Sequence, residues 1–242
     1  MQELTQEEFE AAGIIDDDVE GSRDERACRL WINSMQIENC FIENLFEEIR
    51  DGLIILRVCH RIDNSTVDWS KPNMKPKNMF DCNHNCDLAI EAMQKLGVRM
   101  VGVGSQDIRD GHKKNILAMV WQLMRTHYIR IIGNKTDQDL LAWCNQVCQP
   151  DTPLANFGDP AFADGKILIK MAGSIEPRMI NWDLVTPGQT DEEKELNAKY
   201  AISIARKLGA IIFMVWDDIP RLNKKMLLIF VCSLYDLKHN IQ

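Results

Sequence analysis

The chain has 242 residues, 45% of them hydrophobic and 26% charged, and a formal net charge of -8, which suits one large or two small globular domains with a real core. Ten acids against one base fall in residues 1–25, leaving 27 bases and 26 acids in the rest; this nearly neutral body excludes a surface built for duplex nucleic acid. The longest apolar runs, Ile211–Trp216 and Met226–Cys232, have six and seven residues against about 20 for a bilayer span, so no membrane segment is expected.

Residues 1–24 read as an acidic linker or tail. Their start lacks the basic and apolar stretches of a secretory signal, so a cytoplasmic location is expected. Asp16-x-Asp18-x-Glu20-Gly21 begins like a calcium loop, but Ala27 stands at its twelfth position, where a bidentate Glu is required. A helix follows around Leu30–Asn33, with Trp31 as its core anchor and Arg26, Arg29 and Asn33 on its other faces. Asp51-Gly52-Leu53-Ile54-Ile55-Leu56 opens a second helical stretch, and a Pro/Asn-rich connection spans Lys71–Asn78. Cys86–Leu96 is a third helix, stopped by Gly97. Gly102-x-Gly104 is followed by Asp107 where a dinucleotide fingerprint needs a third Gly, so no nucleotide cofactor is expected.

Asn115–Arg125 is apolar almost all round. On a wheel of about 100° per residue with Trp121 facing inward, Leu117, Ala118, Met124 and Tyr128 fall within roughly 60° of it. Ile116, Met119 and Leu123 then lie at least about 140° away. Such a helix is either buried on all sides or offers an apolar face to a partner. The second-half equivalents Leu227, Phe230 and Leu234 favour burial. The flanking Lys113, Lys114, Arg125 and Arg130 favour a face for an acidic partner, as do 15 bases against 12 acids in residues 26–133, compared with 12 against 14 in residues 134–242. Both readings stay open.

The second half then repeats the first. Leu30-Trp31-Ile32-Asn33 returns as Ala142-Trp143-Cys144-Asn145, and Asp51-Gly52 as Asp164-Gly165. Asp68-Trp69 returns as Asn181-Trp182, Lys95-Leu96-Gly97 as Lys207-Leu208-Gly209, and Lys114–Leu117 as Lys225–Leu228. All five landmarks keep offsets of 111 to 113 residues, which identifies an internal repeat of one domain. No stretch alternates with period two for long enough to build a sheet. The expectation is an all-α protein of two similar domains, residues 25–132 and 135–242, with a seam near Ile131–Thr136 at Gly133-Asn134.

Eight cysteines, two pairs of them spaced Cys-x3-Cys at 82/86 and 144/148, read as reduced thiols on helices because zinc knuckles use a tighter spacing. The five histidines are scattered and no Ser or Cys sits in a nucleophile elbow. No catalytic residue, metal or cofactor is expected.

The early Trp, the Asp-Gly turn, the Ala-rich helix before Leu-Gly and the Lys-led terminal apolar helix resemble the calponin-homology domain. Two in tandem resemble the actin-binding domains of the spectrin, α-actinin, filamin and fimbrin group. Glu20–Arg26 leading into Trp31–Ser34, Val101–Asp107 and Val120–Arg125 are similar to the third such domain of the fimbrin (plastin) family. Ile180–Val185, Asn197–Tyr200 and Ala205–Gly209 are similar to the fourth. The resemblance implies a compact, non-catalytic, monomeric pair of domains binding filamentous actin in the cytoplasmic actin cytoskeleton. It implies three contact segments. On Glu25–Met35 the candidates are Arg26, Arg29 and Asn33. On Lys113–His127 they are Lys113, Lys114, Ile116, Met119, Gln122, Leu123 and Thr126. On Asp137–Cys148 they are Asp137, Leu140 and Leu141. Fimbrins bundle filaments with two tandem pairs preceded by EF-hands, so one pair implies half of such a cross-linker, or a shorter relative that binds without bundling. A scaffold of the same fold that binds microtubules or a helical signalling protein is the alternative.

Overall fold

The computed structural model describes residues 20–38, 40–98 and 102–240. Among them every regular element is helical, as the periodicity requires. In chain order these are α1 (Glu20–Ser34), α2 (Leu45–Glu48), α3 (Leu53–Ile62), α4 (Met79–Lys95), α5 (Ser105–Asp110) and α6 (Lys113–Ile131), followed by α7 (Asp137–Cys148), α8 (Lys166–Ile175), α9 (Asp191–Lys207) and α10 (Lys224–Asn240). Short 3-10 turns at Pro160–Phe162, Pro177–Met179, Trp182–Leu184 and Trp216–Asp218 connect the later helices. Because α1 opens at Glu20, residues 20–24 are helical rather than linker. The rest of the acidic tail, with Asp16 and Asp18 of the calcium-like stretch, lies outside the described residues.

Packing divides the chain into two units between His127 and Tyr128. In the first, Trp31 is buried and its indole N–H donates to His127 Nδ1 at 3.3 Å. In the second, buried Trp143 packs edge-on against Tyr235, with ring centroids 5.1 Å apart. Both tryptophans are thus the anchors the sequence suggests.

The repeat is also a repeat of polar devices. Gly52 (φ 78) and Gly165 (φ 73) each stand just before a helix. A Cβ on Gly52 would lie 2.7 Å from the Asn85 carbonyl carbon, and one on Gly165 would lie 3.2 Å from that of Asn197. Glycine therefore serves twice here: it takes the left-handed conformation and it lets α3 approach α4, and α8 approach α9. The preceding carboxylates, Asp51 and Asp164, accept from the N–H of Leu53 and Lys166, each at 2.9 Å.

Two asparagine clamps recur. Asn33 Oδ1 accepts from Ile42 N and its Nδ2 donates to Ile42 O, both at 2.9 Å. Asn145 does the same to Leu154 at 2.7 and 3.3 Å. Buried Asn85 accepts from Asn73 N at 2.8 Å and donates to Asn73 O at 2.9 Å. Buried Asn197 accepts from Thr186 N at 2.9 Å and donates to Thr186 O and Asp164 O at 3.2 and 2.9 Å. Each amide satisfies the backbone of a loop that has no ladder or helix to do so.

Candidate functional site

The terminal helix of the first unit shows which face is free. Ile116, Met119 and Leu123 are 0%, 1% and 1% exposed, with Val120 and Met124 also buried. Trp121 and Leu117 are half-buried, while Ala118 and Gln122 are exposed. The inward stripe is therefore 116, 119/120 and 123/124, a regular three–four spacing, and the wheel with Trp121 inward is turned the wrong way. Leu227, Phe230 and Leu234 of α10 are buried likewise, so this stripe belongs to the core of each repeat. Ile116, Met119 and Leu123 are corrected from contact residues to core. Leu140 and Leu141 on α7 are also buried, and they leave the candidate surface for the same reason.

The remaining candidates differ in availability. Lys113, Lys114 and Gln122 are exposed; Thr126, Asp137 and Arg26 are half-buried. Lys113 Nζ stands 5.3 Å from the centre of the Phe46 ring, a cation–π contact that orients it. Arg29 is half-buried and pairs with Glu25 one turn earlier at 3.1 Å. Asn33 is committed to the Ile42 clamp, so its amide shapes α1 and the following loop instead of reaching outward.

One surface was not singled out in the sequence. The connection before α4 and that helix's first turn expose Lys71, Met74, Lys75, Lys77, Met79 and Phe80, with Phe80 77% exposed. The loop is pinned at Asn73 by the buried Asn85 clamp. Its end is capped by Asn78, whose Oδ1 accepts from the N–H of Phe80 and Asp81 at 2.9 and 3.0 Å. Asp81 in turn accepts from Lys77 N at 2.9 Å, and this hydrogen bond lowers its pKa. Three lysines beside bulky apolar side chains thus stand on a fixed platform. The sequence shows the stretch as a Pro/Asn-rich connection, and its three Lys and two Met among residues 71–80 are the signal of this surface.

The start of α6 is held by Asp107, which accepts from Gly104 N at 2.8 Å, His112 Nδ1 at 2.7 Å and Asn115 Nδ2 at 2.8 Å. Those bonds hold its carboxyl down at about 2. The second unit keeps the device with Asp218, bonded to Val215 N at 3.0 Å and Asn223 Nδ2 at 2.8 Å. Among the described residues, no group of His, Cys, Asp or Glu is placed to hold a metal ion, and no helix is long and apolar enough to cross a membrane. Seven of the eight cysteines are buried, and burial pushes the Cys59 and Cys86 thiols up to about 12.

The calponin homology (CH) domain pattern matches residues 22–129 and 134–240. Fimbrin-3 of Arabidopsis thaliana is 35% identical over 239 residues, covering 93% of this chain and 33% of its own length. Human Plastin-3 is 33% identical over 227 residues, covering 87% of this chain and 36% of its own. The crystal structure of the actin-crosslinking core of Schizosaccharomyces pombe fimbrin superposes with a TM-score of 0.82 at 33% identity, over 91% of this chain and 49% of that one. The chain thus spans about a third of the length of the curated relatives it matches. Repeated clamps, repeated Asp-Gly turns and two matched segments lead to one conclusion: the chain belongs to the calponin homology domain family, as two tandem copies of the fimbrin/plastin type.

Proposed function

We propose that this chain is a non-catalytic actin-filament-binding module, one half of a fimbrin-type cross-linker, acting as a monomer in the cytoplasmic actin cytoskeleton. Its two domains are residues 25–132 and 135–242. The observation that carries the reading is the fit to the fimbrin actin-crosslinking core over 91% of the chain. The contact is made chiefly by the first repeat, through Lys113, Lys114 and Gln122 on α6, Arg26 on α1, and Lys75, Lys77 and Phe80 of the α4 entry. Exposed lysines beside exposed apolar side chains suit an acidic protein surface: the charges steer the encounter and the apolar groups supply burial.

High- and low-speed co-sedimentation with filamentous actin at two salt concentrations tests it. Pelleting at high speed only, weaker at higher salt, is the expected result, since a single pair binds without bundling. Absence of pelleting at both salts would sink the reading and favour the scaffold alternative, which pull-down with microtubules would then examine.

A further inference from the structure

The second repeat carries an apolar surface that its own fold does not require. Trp182, Leu184 and Leu196 are 53%, 56% and 57% exposed. Residues 181–186 run antiparallel to α9. At one end Asn181 N donates to Tyr200 Oη at 2.7 Å. At the other, Thr186 N donates to Asn197 Oδ1 at 2.9 Å and Thr186 Oγ1 donates to Glu193 O at 2.9 Å. That register sets Leu184 level with Leu196; Trp182 lies two residues earlier on the same segment, its ring edge 4.0 Å from where a Cβ on Gly173 of α8 would stand. The first repeat shows what the scaffold accepts at the same two positions: Lys71 and His84, with His84 Nε2 donating to Lys71 O at 3.2 Å. A polar pair in one copy has become a leucine pair in the other, on backbones held by equivalent asparagine clamps. Core packing does not account for that exchange, because both leucines point to solvent.

We infer that this surface docks a basic amphipathic helix. Charge argues for the sign of the partner. Asp183, between Trp182 and Leu184, and Glu192, one turn before Leu196 on α9, are exposed acids at its edge, while the exposed base one turn after Leu196, Lys199, is paired with Glu195 at 2.6 Å. Size argues against a second copy of this chain. Three side chains form a strip suited to the apolar stripe of one helix, well short of the roughly 800 Å² per partner of a standard protein interface, and two such acidic rims would repel one another. The occupant is a helix with leucine-type residues at i, i+3, i+4 and i+7 and Lys or Arg flanking them. This inference is independent of actin binding.

The test uses two fluorescein-labelled helical peptides with the same leucine stripe, one flanked by lysines and one by glutamates, and the 242-residue chain. The lysine helix should bind saturably by anisotropy, roughly tenfold tighter than the glutamate helix. The double substitution Leu184→Lys with Leu196→His rebuilds the polar pair of the first repeat and should weaken binding at least about tenfold. Glu192→Lys, at an exposed position, should weaken the lysine helix and strengthen the glutamate helix. Equal binding by wild type and both variants, or no saturable binding of the lysine helix, overturns the inference. Self-association of the wild type that the double substitution abolishes would replace the helix with a second copy.

Discussion

The two faces of α6 can be separated by mutation. Leu123 is 1% exposed, and shortening it to Ala removes about three methylene equivalents, roughly 2.4 kcal/mol at 0.8 kcal/mol each. The residual cavity raises this to about 2.7–5 kcal/mol. A domain of this size holds about 5–15 kcal/mol in all, so Leu123→Ala should lower the urea midpoint markedly, and Leu123→Asp, with an unpaired carboxylate in the core, should unfold the first repeat. Lys114 behaves oppositely. It sits in the first turn of α6, which contains no acid, where the helix dipole disfavours a cation by about 0.3–1 kcal/mol. Lys114→Glu should therefore leave stability equal or slightly higher while weakening actin co-sedimentation, most visibly at low salt. Urea unfolding followed by far-UV circular dichroism, run beside high-speed pelleting, reads both effects. If Leu123→Ala abolished pelleting at unchanged stability, the core assignment would be wrong. If Lys114→Glu pelleted like wild type, the N-terminal end of α6 would not be part of the contact.

Gly52 and Gly97 both have positive φ, but a Cβ on Gly97 meets nothing within 4 Å whereas one on Gly52 meets backbone at 2.7 Å. Gly97→Ala should cost about 1–2 kcal/mol for the left-handed conformation, and Gly52→Ala about 1–3 kcal/mol more for separating α3 from α4; equal losses in urea unfolding would refute the close-approach argument. His127 accepts the Trp31 indole N–H and, desolvated by burial and near Arg61, has its pKa lowered to about 4 from 6.5. Above pH 6.5 the ring is neutral folded and unfolded, so nothing is lost. As pH falls from 6.5 towards 4 the unfolded chain takes up a proton that the folded ring refuses, and stability drops by about 2–3 kcal/mol at pH 4.5. His127→Gln keeps an acceptor for Trp31 and should flatten that part of the acid limb between pH 7 and 4.5; an unchanged drop in melting temperature would count against this account.

What the sequence could disclose followed from how tightly a residue type is tied to a local job. Asp-Gly before a helix is legible because only glycine fits the left-handed turn and close approach at Gly52 and Gly165, and the landmark tryptophans anchor the cores at Trp31 and Trp143. The orientation of α6 was not legible from α6 itself. A helix apolar on nearly every side gives a wheel no preferred phase, and fixing it by the largest side chain, Trp121, turned it away from its true core. The other copy supplies no phase either: Leu227, Phe230 and Leu234 match Ile116, Met119 and Leu123 and are buried, but so is every residue from Met226 to Cys232, so only the tertiary packing of α6 settles which side faces inward. The lysine-rich entry to α4 escaped notice for a different reason. Its exposure depends on Asn85, 12 residues away from Asn73, and a tertiary clamp leaves no trace in local composition.

Two copies of one scaffold in a single chain provide an internal control for what the fold needs. Asn33 and Asn145, Asn85 and Asn197, Gly52 and Gly165, and Asp107 and Asp218 do the same work in the same places, so they define the requirement. Differences laid over that frame cannot be demanded by it. Lys71 and His84 are met by Leu184 and Leu196, and the partner of the turn aspartate is His112 in one copy and Asn223 in the other. The basic connection at Lys71–Asn78 has a counterpart one residue shorter, Leu184–Thr190, that carries no charged side chain. Each difference lies at or near the surface and changes charge, polarity or length, while the interior pairs keep theirs. Under the two proposals, such exchanges suit the first repeat to an acidic surface and the second to a basic helix, while the shared interior clamps stay as they are.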